Sequence, residues 1–214
     1  MKPKITVIDY GLGNLFSIQK AFEHCGAEVE LTNSTYKIIE ADRLVLPGVG
    51  AFADGMKGLE KLGLIEPIKE FVSLGRPVLG ICLGMHMLMS AGEEFGRHQG
   101  LDIFPGMVSS VPPIRPDGSA HKIPHIGWNE LIKPDGTTWK GTILNDLNGM
   151  DSAYFVHSYT VIPDNPSHRL ADCSYGGCLL SAVIRSGMVY GCQFHPEKSG
   201  DVGLKIIKAF LNII

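Results

Sequence analysis

The sequence predicts an α/β fold: a doubly wound, mostly parallel sheet of flavodoxin-like type, with an antiparallel β-rich C-terminal half and a closing helix. Three observations predict it. Apolar β-rich runs alternate with stretches of helical period from Lys4 to Ile81, as β-α-β units do. Glycine-rich turns follow the runs ending at Asp9, Leu46 and Ile81, where an open parallel sheet binds its ligands. Beyond Phe104 the chain breaks into short β-like stretches split by Pro, Gly and Asp.

The first strand is "KITVID", Lys4 to Asp9. After the turn "YGLGN", Leu15, Ile18, Phe22 and Cys25 recur at helical spacing, and Gly26 terminates that helix. "EVEL" (Glu28 to Leu31) and "RLVLPG" (Arg43 to Gly48) are the next strands, with a weakly helical stretch at Tyr36 to Glu40 between them. "LIEPIKEFVSLG" supplies a helix ending near Gly75. "PVLGI" (Pro77 to Ile81) is a fourth strand, as uniformly apolar as buried parallel strands are. The later stretches "GMVSSV", "HIGWNELI", "SAYFVHSYTV" and "LADCSYGGCLLSAVIRSGMVYGCQF" are expected to pair largely antiparallel. In "VGLKIIKAFLNII", Leu204, Ile207, Phe210 and Leu211 fall on one face of the closing helix.

With 214 residues, 44% of them hydrophobic, the chain can build one sizeable globular domain. A formal net charge of −3 gives no electrostatic footprint for nucleic acid or an anionic membrane, leaving small molecules and proteins as partners. "MKPKITVIDYG" is too short and strand-like for a signal peptide or membrane helix, so a cytoplasmic location is expected. The five cysteines are odd in number, spread out and free of CxxC pairs, as reduced thiols are. Cys173, Cys178, Cys192 and His195 imitate a zinc site only loosely, and no metal is expected. "YGLGN" is part of a dinucleotide fingerprint, but its third glycine would fall at Phe16. No cofactor is expected.

"GICLG" places Cys82 between Gly80 and Gly84 where a strand passes into a helix. A nucleophile on such a sharp turn needs small neighbours, and the helix N-terminus favours thiolate. The Leu83 backbone N–H can there point at an oxyanion. Read alone, Cys82 fits a small core residue equally well. A thiol nucleophile needs a base. In "QFHPEKSG", His195 follows a β-like segment and Glu197 lies two residues on, so a carboxylate can accept the imidazole Nδ1 proton and leave Nε2 for the thiol. The same residues also suit a turn with Pro and Glu at a helix start.

Together, "GICLG" and "QFHPEKSG" resemble the class I (triad) glutamine amidotransferases across nearly the whole chain. "DYGLGNL", "LPGVGAF", "KIPHIGWNEL", "YFVHSY" and "QFHPEKS" are similar, within that class, to the glutaminase subunits of imidazole glycerol phosphate synthases. The resemblance implies one glutamine amidotransferase type 1 domain over residues 1–214. It implies that Cys82 attacks the carboxamide of L-glutamine, His195 serves as general base and acid, and Glu197 orients the imidazole. Val49 of "PGVG" would supply the second oxyanion N–H, with Gly48 and Gly50 letting its peptide rotate between donor and non-donor orientations. Glutamine contacts are implied for Gly48, Glu94, Ser158 and Tyr159, and for His86, where the family usually has glutamine. The implied partner is a (β/α)8 cyclase subunit, forming a heterodimer through Asn14, Pro124, His125, Trp128 and Lys198, to which ammonia passes for imidazole glycerol phosphate and histidine synthesis. Two other readings stay open: a related subunit feeding ammonia to a sugar-modifying enzyme of surface-polysaccharide synthesis, and a non-catalytic regulatory or redox protein.

Overall fold

The structure, a computed structural model, describes residues 2–213. The first half runs β1 (Lys4–Ile8), α1 (Leu15–His24), β2 (Glu28–Thr32), α2 (Thr35–Ile39), β3 (Leu44–Leu46), α3 (Phe52–Lys61), α4 (Ile65–Ser73), β4 (Val78–Ile81) and α5 (Leu83–Met87). Then come β5 (Met89–Gly92), β6 (His98–Gln99), β7 (Phe104–Ser110), β8 (His125–Glu130), β9 (Ser152–His157) and β10 (Tyr159–Pro163). The chain closes with β11 (Arg169–Tyr175), β12 (Cys178–Ser186), β13 (Val189–Cys192), a 3-10 turn (Pro196–Lys198) and α6 (Gly200–Asn212).

The main sheet has seven strands in the order β11-β12-β13-β4-β3-β1-β2. From β2 to β13 every neighbour is parallel, which is the flavodoxin-like order with β13 as its fifth strand. β12 and β11 extend it antiparallel. A four-stranded sheet (β10-β7-β5-β6) and the antiparallel ribbon β8–β9 flank it. Strand alternation divides the core into two layers. Val45, Leu79 and Ile81 pack into the layer with Phe22, Phe155 and Phe210, whereas Leu44, Leu46 and Val78 pack into the one with Phe52 and Phe71.

Three features depart from the sequence expectation, and a fourth refines it. Helix α3 was not expected, because Gly55 and Gly58 depress its helical propensity. Packing requires both: a Cβ on Gly55 would lie 2.7 Å from Met87 Sδ, and one on Gly58 would lie 2.9 Å from the Tyr10 ring. The expected strand Arg43 to Gly48 stops at Leu46, since Pro47 and Gly48 turn into the loop above the sheet. The C-terminal half pairs largely antiparallel, as expected, and β13 in addition inserts parallel to β4, pairing Cys192 with Ile81. On α6 the buried face is Gly203, Ile206, Ile207, Phe210 and Leu211, and Leu204 is only half-buried.

Candidate active site

Cys82 stands between β4 and α5 with φ of +53°, a left-handed conformation rare for a side chain with a Cβ. Its surroundings impose that geometry. The Cys82 N–H donates to Cys192 O (2.7 Å), continuing the β4–β13 pairing, and the His86 N–H returns to Cys82 O (3.2 Å). A Cβ on Gly84 would run into the Leu46 carbonyl, and one on Gly80 would lie 2.8 Å from Leu88 and 2.9 Å from the Gly84 carbonyl. The two glycines let a tight turn pack against its own sheet. Leu83, the first residue of α5, has no carbonyl of its own helix to bond, so its N–H is available beside the sulfur.

Parallel pairing of β13 with β4 carries the "QFHPEKS" segment alongside this turn. His195 Nδ1 donates to Glu197 Oε1 (2.8 Å), and both side chains are almost fully buried. The segment is tied to β9: the His195 N–H donates to Tyr154 O (3.2 Å), and the Ser199 hydroxyl donates to His195 O (2.7 Å) while accepting from the Tyr154 N–H (3.0 Å). Burial by itself lowers the affinity of His195 for a proton. Hydrogen bonds to Cys82 and Glu197, with the charges on both, outweigh it and raise the imidazole to about 9. Glu197 Oε2 has no partner among the described residues, so the imidazolium is what compensates this buried carboxylate. With Nδ1 occupied, Nε2 is left for the Cys82 thiol.

A cleft of about 630 Å³ opens over this pair. Val49, Cys82, Leu83, His86, Glu94, Ser158, Tyr159 and His195, all singled out in the sequence, line it, as do Pro124 and Lys198 at its rim. Glu94 is anchored there by the Phe52 N–H, which donates to its Oε2 (2.7 Å) at the start of α3. Val49 is 40% exposed, beside Gly50 at φ of +105°. Gly48, expected to touch substrate, is buried: a Cβ there would collide with the Tyr10 hydroxyl and lie 2.9 Å from Leu83 Cβ. Tyr10 donates from that hydroxyl to Pro47 O (2.8 Å), pinning the front of the loop.

The residues expected at a docking face divide. Trp128 is 56% exposed next to Ile126, and Lys198 is exposed. Asn14 is half-buried and caps α1, its Oδ1 accepting from the Ser17 N–H (3.3 Å). His125 is a correction, being fully buried and unable to touch a partner. It stacks on Phe155 and Tyr175 and bonds His157 Nε2 (2.9 Å) and Asn129 Oδ1 (2.7 Å). His157 in turn donates from Nδ1 to Tyr159 O (2.7 Å), so these histidines brace the cleft wall from behind. The sequence reading passed over Gln193, whose Oε1 lies 2.8 Å from His86 Nε2. Its signal was present: extended backbone sends residues two apart to the same side, and Gln193 is two before His195.

The chain matches the glutamine amidotransferase class-I family over residues 6–213. It belongs to that family. Among curated relatives of this amidotransferase, the Legionella pneumophila (strain Paris) imidazole glycerol phosphate synthase subunit HisH 1 is 56% identical over 98% of this chain and 99% of its own. The HisH subunit of Syntrophotalea carbinolica is 47% identical over 96% of this chain and 98% of its own. Among solved structures, PurLQS from Thermotoga maritima superposes with a TM-score of 0.71 at 18% identity, covering 99% of each chain, a likeness of fold alone. Among the described residues, no helix of this amidotransferase is long and apolar enough to cross a membrane.

Proposed function

We propose that this chain is the glutaminase subunit of an imidazole glycerol phosphate synthase: one class I amidotransferase domain that hydrolyses L-glutamine to glutamate and ammonia. Ammonia then passes to a (β/α)8 cyclase subunit, in the cytoplasm, for histidine synthesis. The observation that carries the reading is Cys82 meeting the buried His195–Glu197 pair at the floor of the cleft. The full-length likeness to HisH subunits supports the pathway.

In this mechanism the Cys82 thiolate attacks the glutamine carboxamide, and the tetrahedral oxyanion is held by the Leu83 and Val49 N–H groups. His195 gives its proton to the departing ammonia, leaving a γ-glutamyl thioester, then takes a proton from the water that releases glutamate. Glu197 keeps the imidazole in the required tautomer. Glu94 offers its carboxylate to the substrate amino group, and His86, Ser158 and Tyr159 bound the rest of the site. The partner seats on the face that carries Trp128, Lys198, Asn14 and Pro124. Trp128 and Ile126 present adjacent apolar surface on the outer side of β8, as an interface anchor does.

The test is glutamine hydrolysis by the chain alone, with a cyclase subunit, and with that subunit and its ribonucleotide substrate. Strong stimulation in the last case is expected. Activity without stimulation by any cyclase, or stimulation by a sugar-modifying enzyme in its place, overturns the pathway assignment.

A further inference from the structure

Behind the sulfur of Cys82 lies a buried polar pair that the triad does not use. Gln193 is fully buried, with its Oε1 2.8 Å from His86 Nε2 and its Nε2 4.0 Å from Cys82 Sγ. Its backbone is held, since its N–H donates to Ala182 O (2.9 Å). His86 lies on the opposite side of the amide, in α5, and lines the cleft. Burial pulls the His86 imidazole down to about 4 against the hydrogen bond to Gln193, so at neutral pH it carries one ring proton.

Two arrangements satisfy the pair. With the proton on Nε2, His86 donates to Gln193 Oε1 and the amide turns its N–H2 towards the sulfur. With the proton on Nδ1, the amide must reverse, and its carbonyl oxygen faces the sulfur. A buried thiolate selects the first, because a carbonyl dipole pointing at it is repulsive where water cannot screen it. With its proton on Nε2, His86 fixes the amide so that the nucleophile meets its N–H2 end.

We propose that Gln193, oriented by His86, is a positioning residue that presents an amide N–H to the Cys82 thiolate and helps hold its charge. The inference rests on Cys82 being the nucleophile. It also accounts for the tolerance of histidine at a position where resemblance leads one to expect glutamine. Either side chain offers an N–H to Gln193 Oε1.

The test measures the pH dependence of Cys82 alkylation by iodoacetamide in the full chain, followed by mass spectrometry of the Cys82 peptide. Gln193→Leu alone leaves His86 unpaired and can fail to fold. The double variant H86L/Q193L removes both polar groups and keeps a packed interior. In the folded double variant the alkylation midpoint should rise by about one pH unit, or roughly tenfold slower reaction at neutral pH, as expected for losing a modest hydrogen bond to an anion. H86Q, which still offers an N–H to Gln193 Oε1, should keep the wild-type profile. An unshifted profile in the folded double variant overturns the proposal, as does a variant that moves only KM for glutamine. A wild-type Cys82 that resists alkylation across the range, with no glutamine turnover in complex, overturns the nucleophile assignment itself, so the two failures are distinguishable.

Discussion

Two turns line the cleft side by side, and they are built in opposite ways. The Cys82 turn is clamped: Gly80 and Gly84 have no room for a Cβ, the Cys82 N–H is tied to β13, and the residue is nearly buried. The loop from Pro47 to Ala51 is tied at its two ends, where Tyr10 donates to Pro47 O and the Gly55 N–H donates to Ala51 O (3.1 Å). Between those ends Val49 is 40% exposed, and a Cβ on Gly50 would meet nothing within 4 Å. The difference teaches a division of labour. The attacking atom is fixed in advance, while the Val49 peptide sits where its neighbours leave it room to reorient; under the proposed function, a docked partner would act on the rate through that one peptide without disturbing the nucleophile.

Removing the clamped side's chemistry gives the largest effect. Cys82→Ala should lower glutamine hydrolysis in the partner complex by a factor on the order of 10⁶, with an unchanged melting temperature; appreciable residual glutamate release would contradict the assignment. On the other turn, Val49→Pro deletes the N–H. It should cost about 3 kcal/mol of transition-state stabilisation, roughly a hundredfold or more in kcat, in the stimulated complex and far less in the isolated chain. An equal loss in both states would remove the idea that docking acts through this peptide.

Stability should separate the same two turns. Gly84→Ala forces a methyl group onto the Leu46 carbonyl and should destabilise the fold by about 3 kcal/mol or more, visible in denaturant melts. Gly50→Ala enters open space and suffers only the strain of a positive φ, about 1 kcal/mol. The last contrast is in pH. His195, raised to about 9, should give a kcat that falls as pH rises through that value, because the imidazolium that protonates ammonia is lost. Its folded value lies above its ordinary 6.5, so its stabilisation is complete below pH 6.5 and disappears as pH rises through about 9. His86 has the opposite sign. Lowered to about 4, it favours the fold above 6.5, and melting temperature should decline as pH falls from there towards 4.

Much of this was legible along the chain. Short-range signals worked where local sequence dictates geometry: the apolar β-rich run of "KITVID", Gly26 closing α1 at φ of +91°, the small residues around Cys82, and Glu197 two residues from His195. Signals failed where packing overruled propensity, as at Gly55 and Gly58 in α3, and where burial depended on distant neighbours. His125 sits in a strand that exposes Ile126 and Trp128, and nothing local reveals that Phe155 and Tyr175 enclose it. Gly48 likewise reads as a loop glycine until Tyr10 and Leu83 are found against it.

The sequence by itself determined the fold class, the sharp turn that bears the thiol, and the pairing of an imidazole with its carboxylate, because each depends on residues a few positions apart. Only the tertiary structure decided that these meet. Cys82 and His195 come together because β13 inserts parallel to β4 in a register that pairs Cys192 with Ile81. That register is selected by burial of both strand faces in a shared core, a long-range property that no local spacing encodes. The same pairing places Gln193 between His86 and the sulfur.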